Sequence, residues 1–95
     1  MRPKLLIEGL ATFFLCLACA LVQGVLAPFI IGALLLALVY LGGPVSQAHY
    51  NPAVTLSFCL RRRQAWPTGA AYVGVQCLAA VLAALIAGLY HGHTE

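Results

Sequence analysis

Residues 49–55 read HYNPAVT, and Pro52 to Leu60, PAVTLSFCL, follow directly into the arginine triplet Arg61, Arg62 and Arg63. Asn followed by Pro marks a turn. This turn lies between two strongly apolar runs. Asn51 is a good helix N-cap and Pro52 suits the first helical position, so Ala53 to Leu60 continue as a short apolar helix. Nine residues at 1.5 Å per residue give about 13 Å, under half of the roughly 30 Å hydrocarbon core of a bilayer. The segment is too short to cross a membrane, yet its neighbours can.

Three neighbouring segments are long enough to span: residues 4–22, 28–44 and 67–90. Each approaches the roughly 17–25 apolar residues that a transmembrane helix needs. The connection QGVLAP between the first two is short and implies a tight antiparallel pair. Pro28 opens the second span, and Gly42, Gly43 and Pro44 are expected to end it. The fold class expected is therefore an all-α membrane protein: three transmembrane helices plus one re-entrant half-helix, in a single unit over residues 1–95.

Composition agrees. The chain is 63% hydrophobic and only 7% charged, with a mean hydropathy of +0.99, whereas soluble domains carry about 25% charged residues. A soluble fold of 95 residues could not hide so much apolar surface. The opening MRPKLLIEGLATFFLCLACA has the basic, apolar and small-residue order of a signal peptide. Glu8 inside its apolar core speaks for a retained span instead. Cys16, Cys19, Cys59 and Cys77 match no zinc spacing and no disulfide framework. They are expected to be small buried hydrophobes. His91 and His93 stand near the end of the chain and are not expected to hold a metal. No cofactor, catalytic constellation or nucleic-acid-binding patch is evident, so an enzyme is not expected.

All five basic residues fall in two patches, Arg2 with Lys4 and the arginine triplet. Three spans and a half-helix place both patches on one side of the membrane, and that bias puts the N-terminus in the cytoplasm. The half-helix then enters from the cytoplasmic face with Asn51 at the midplane. Irregular backbone survives at that depth only when packed in protein or lining a watery cavity. A helix N-terminus there brings free N–H groups and a positive dipole end, which suit a neutral polar solute and repel cations. Plainer readings remain: Asn51 and Pro52 as an interfacial helix cap, His49 as a structural residue, Glu8 reaching the headgroups. Gly9, Gly32, Gly69 and Gly74 are expected to allow close helix packing.

HYNPAVT, with Glu8 and Thr12 in the first span, resembles the N-terminal half of an aquaporin or aquaglyceroporin. The order of Glu8, Gly32, Gly43, Ser46, His49, Tyr72 and Gln76 is similar to the half-repeat of that family, and the resemblance covers nearly the whole chain. It implies that the Asn51 side-chain amide donates to a passing solute, that Pro52 starts the half-helix and that Ala53 packs at its tip. The backbone carbonyls of Gln47, Ala48 and His49 would accept hydrogen bonds in a pore-lining loop. Glu8 would be buried and hold that loop through its backbone N–H groups. Ile31, Ala48 and Val54 would occupy constriction positions, where the family's water-selective members carry an aromatic residue and its second half an arginine.

The resemblance implies a passive channel for water and small uncharged solutes such as glycerol, in a bacterial inner (plasma) membrane. The family places two inverted halves in one chain, whereas these residues supply one. The expected partners are membrane lipid, the solutes, and a second copy in an antiparallel dimer or a larger assembly. A non-conducting assembly or regulatory subunit that pairs with another aquaporin-like chain is the alternative.

Overall fold

The structure is a computed structural model that describes residues 2–94 and the side chains of residues 2–90. Four helices follow one another: α1 (Arg2–Leu21), α2 (Ala27–Ser46), α3 (Pro52–Leu60) and α4 (Trp66–Thr94). Three of them, α1, α2 and the Trp66–Tyr90 part of α4, are long and apolar enough to cross a membrane. The bundle is 45 Å along its longest axis, which exceeds a hydrocarbon core of about 30 Å.

The α1–α2 connection turns at Gly24, whose φ of 98° is open to a residue without a Cβ. Its carbonyl accepts the Ala27 N–H at 3.1 Å. Helix α1 packs against both α2 and α4, and α3 lies on α4. On α4 the buried residues are Gly69, Tyr72, Gln76, Ala79, Ala83 and Ala87, a helical stripe. Its alanines let α1 approach closely, and Gly9 of α1 lies where a Cβ would be 2.7 Å from Val75 Cγ1.

The distribution of polarity is inverted relative to a soluble protein. Leu, Phe, Val and Ile side chains dominate the exposed surface, while Glu8, Thr12, Ser46, His49, Thr55 and Gln76 are buried. Burying polar groups while exposing apolar ones is stable when the surroundings are hydrocarbon. This is an all-α integral membrane fold.

The structure corrects three expectations. First, α2 does not end at Gly42–Pro44 but runs through Pro44 to Ser46. Pro44 withholds a helical donor from the Tyr40 carbonyl, yet tertiary partners hold the extra turn. The Tyr50 hydroxyl donates to the Leu38 carbonyl at 2.7 Å, the Tyr72 hydroxyl donates to the Ser46 carbonyl at 2.9 Å, and the Gln47 N–H closes on Gly43. Second, only Cys59 of the four cysteines is buried within the chain. Cys16 is half-buried, Cys19 and Cys77 face outward, and all four are free thiols. The wide apolar surface leaves little interior for them. Third, Gly32 and Gly74 meet nothing within 4 Å of an added Cβ, so neither packs a helix within the chain. Gly9 and Gly69 do. His91 and His93 lie outside the described side chains.

Candidate functional site: the loop that enters α3

The site is built around one carboxylate. Glu8 sits two turns into α1 and is wholly buried. Its Oε2 accepts from the Ser46 hydroxyl at 2.7 Å and from the His49 N–H at 3.1 Å. Its Oε1 accepts from the Tyr50 N–H at 2.8 Å and from the Gln76 amide at 2.7 Å. Four donors and no acceptor surround it, which fills the lone-pair capacity of a carboxylate. A buried charge is tolerable only under such saturation.

This grip fixes the loop. Gln47, Ala48 and Tyr50 have φ of 72°, 55° and 55°, the left-handed region that non-glycine residues avoid. Such backbone costs on the order of 1–3 kcal/mol per residue and persists only when its surroundings impose it. Here they do. The Ala48 N–H donates to Ser46 Oγ at 3.2 Å, and the next two N–H groups donate to Glu8, an arrangement that forms an anion-holding nest.

The peptide bonds of the described residues are trans, and in a trans peptide the N–H and the preceding C=O point in opposite directions. The carbonyls of Gln47, Ala48 and His49 are therefore turned away from the Ser46–Glu8 cluster. No group among the described residues donates to them. Glu8 thus aims the carbonyls of Ala48 and His49 by holding the two N–H groups behind them, and Ser46, itself held by Glu8, holds the N–H behind the Gln47 carbonyl.

At the end of this row, Asn51 is extended and caps α3. Its Oδ1 accepts the Ala53 N–H at 2.7 Å. That cap orients the side chain so that the amide Nδ2 is left without a partner among the described residues, on an exposed residue. Pro52, Ala53 and Val54 are likewise exposed within the chain.

The His49 ring is not presented to open space. It is buried and stacked on Phe58 with ring centroids 4.3 Å apart, with Tyr72 edge-on at 5.1 Å. Its Nδ1 lies 2.9 Å from Thr55 Oγ1 and its Nε2 lies 3.3 Å from Gln47 Oε1. The acceptor-only carboxylate orders the network. Gln76 Nε2 donates to Glu8 and, at 3.0 Å, to Thr55 Oγ1. The Thr55 hydroxyl thus links Gln76 to one side of the His49 ring, and the Gln47 side-chain oxygen closes the other. Among the described residues, Thr12 Oγ1 and Gln76 Oε1 are buried without a partner.

The profile of the family described as Major intrinsic protein matches residues 4–94. The chain belongs to this family. Aquaporin NIP1-4 of Oryza sativa subsp. japonica is 39% identical over 100 residues, covering 93% of this chain and 36% of the relative. Aquaporin-B of Dictyostelium discoideum is 48% identical over 50 residues, covering 53% of this chain and 17% of the relative. Human Aquaporin-9 is 44% identical over 54 residues, 56% of this chain and 18% of the relative. The chain thus spans about a third or less of the length of these relatives. No solved structure gives a significant match.

For a major intrinsic protein the residues singled out from sequence fall into two groups. Gln47, Ala48, His49, Asn51, Pro52, Ala53 and Val54 are contiguous at the loop and the α3 tip, with Glu8 behind them. Ile31 stands apart on α2, fifteen residues before Ser46, or about 22 Å along the helix. Sequence reasoning did not assign roles to Tyr50, Thr55 and Gln76. Gln76 carried a readable signal, a lone amide in an apolar span.

Proposed function

We infer that this chain forms half of a passive pore for water and small uncharged solutes, glycerol among them, in a plasma membrane with its N-terminus cytoplasmic. The observation that carries this reading is the row of three partnerless carbonyls leading to the free Asn51 amide. A neutral solute with both donors and acceptors can exchange water for these groups in sequence, while the positive end of α3 opposes cations. Ala48, Val54 and Ile31 add no charge along the way.

Helix α3, of nine residues, reaches only the middle of a bilayer, so the path needs a second half. An inverted copy of this chain supplies it, as inverted repeats do in many transport folds. The basic residues favour a second reading. Five on one face and none on the other drive a single orientation, which suits pairing with a differently biased aquaporin-like chain. Labelling of cysteines introduced at both termini in cells separates the two: two orientations support self-pairing, one supports a partner.

Stopped-flow osmotic swelling of proteoliposomes tests the pore. Asn51→Leu should reduce water permeability to that of protein-free vesicles. Asn51→Asp keeps the cap oxygen and removes the amide donor, and it should fail in the same way without unfolding α3. Permeability unchanged in both variants would remove Asn51 from the path. Flux that appears only upon co-expression with a longer relative would make the chain an assembly subunit.

A further inference from the structure

We propose that the cleft between the start of α1 and the α3–α4 turn binds the phosphate of an anionic lipid headgroup. The cleft, of about 640 Å³, is lined by Lys4, Gln47, Arg62, Arg63, Gln64 and Trp66. Three cations from two separate segments converge on it. Among the described residues Glu8 is the one acid, and its four lone-pair sites are occupied. The cations therefore have no counter-charge among the described residues.

A second feature points to an anion independently. Helix α4 starts at this cleft without a capping side chain, because Ala65 stands before Trp66. The N–H groups of Trp66 and Thr68 have no acceptor among the described residues, and Pro67 offers none. A helix of 29 residues thus turns an unsatisfied positive end toward the same space that holds Lys4, Arg62 and Arg63. Arg62 is held there with φ of 60°, a left-handed residue in the turn after α3.

The location selects a lipid over a soluble anion. The cleft lies at the ends of two membrane-spanning helices, with Trp66, an interfacial residue type, on its wall. Basic clusters immediately outside a span attract anionic lipid at the headgroup level. Arg61 supplies the control. It lines the neighbouring cleft with Ser57, Phe58 and Arg63 and is absent from the lining of this one, so it carries the same charge close by without facing this cleft.

Trp66 is the sole tryptophan, which makes it a built-in reporter. The protein reconstituted in phosphatidylcholine vesicles is titrated with brominated phosphatidylglycerol or brominated phosphatidylcholine, and Trp66 quenching is read. Phosphatidylglycerol should quench at lower mole fraction. Lys4→Gln and Arg62→Gln, made separately, should each reduce that preference roughly fivefold, and Arg61→Gln should leave it. Equal quenching by both lipids overturns the proposal, as does an Arg61→Gln effect equal to that of Arg62→Gln, which would mean a diffuse charge. Inorganic phosphate that abolishes the preference, where chloride at the same ionic strength does not, reassigns the cleft to a soluble anion.

Discussion

The two ends of the nine-residue helix α3 are held in opposite ways. At its start, the Glu8 carboxylate and the N–H groups of Ala48, His49 and Tyr50 are all paired, with partners from α1, α2 and α4, while the loop carbonyls and the Asn51 amide are left open. At its finish, the backbone N–H groups of Arg61, Arg62 and Arg63 close the helix, but their guanidinium groups have no partner among the described residues. One end is fixed from within and the other is left for its surroundings to complete. The saturated end is consistent with a loop whose conformation must not vary. The open end suits an interface where charge meets water and headgroups.

Removing Glu8 should break this contrast most severely. Glu8→Ala leaves the N–H groups of His49 and Tyr50 without acceptors, and reduces the Ser46 hydroxyl and the Gln76 amide to their second acceptors, the Gly42 carbonyl and Thr55 Oγ1. Each buried unpaired donor costs about 1–3 kcal/mol, and the left-handed residues lose what imposes them. Unfolding of purified protein in mixed detergent and SDS, followed by far-UV circular dichroism, should show a loss of several kcal/mol, with permeability lost as well. Arg61→Gln, at the opposite end, should stay within about 0.5 kcal/mol of the parent, as exposed substitutions usually do. Similar losses from the two variants would erase the distinction between the ends.

Gly42→Ala is expected to act on the same saturated region with a smaller effect. A Cβ there would overlap the Tyr50 hydroxyl and approach Ile7 Cγ2 to 2.9 Å. Overpacking of this kind costs typically about 1–3 kcal/mol. Tyr50→Phe removes the overlapping oxygen together with its hydrogen bond to the Leu38 carbonyl. The double variant should therefore be less destabilised than the two single losses summed, and a thermal-melt double-mutant cycle reads that coupling. Additive losses would mean that Tyr50 does not sit against Gly42.

The same contrast marks what the sequence disclosed. Helix α3 was legible to the residue, because Asn51, Pro52 and the arginine triplet are local signals and the length of an apolar run is read directly. The spans were legible for the same reason. The end of α2 was not. Gly42, Gly43 and Pro44 form a local stop signal, and hydroxyls of Tyr50 and Tyr72, remote in sequence, overrule it. The inward burial of the His49 ring was equally out of reach, since it depends on Phe58 and Tyr72 meeting it across two helices. Glu8 stood out as an acid in an apolar span, and the family resemblance pointed to its grip on the loop N–H groups, but the Ser46 hydroxyl and the Gln76 amide that complete its four donors come from α2 and α4, far from it in sequence.

Thr12 gives the finest test, because it is the exception within the saturated region. It lies one turn beyond Glu8 on α1 and is equally buried, yet its hydroxyl has no partner among the described residues. Replacing an unpaired buried hydroxyl by a methyl of similar shape removes a desolvated group and adds apolar contact. Thr12→Val should therefore be neutral or stabilising, by no more than about 1 kcal/mol, in the unfolding assay that reports a large loss for Glu8→Ala. Permeability should be unchanged. A loss comparable to that of Glu8→Ala would show that Thr12 belongs to the network after all, joined to the orphaned Gln76 oxygen through a buried water, since such a water bonds to several polar atoms and is costly to remove. Two adjacent turns of α1 would then have to be treated as one polar unit, and the carboxylate could no longer be credited alone with holding the loop.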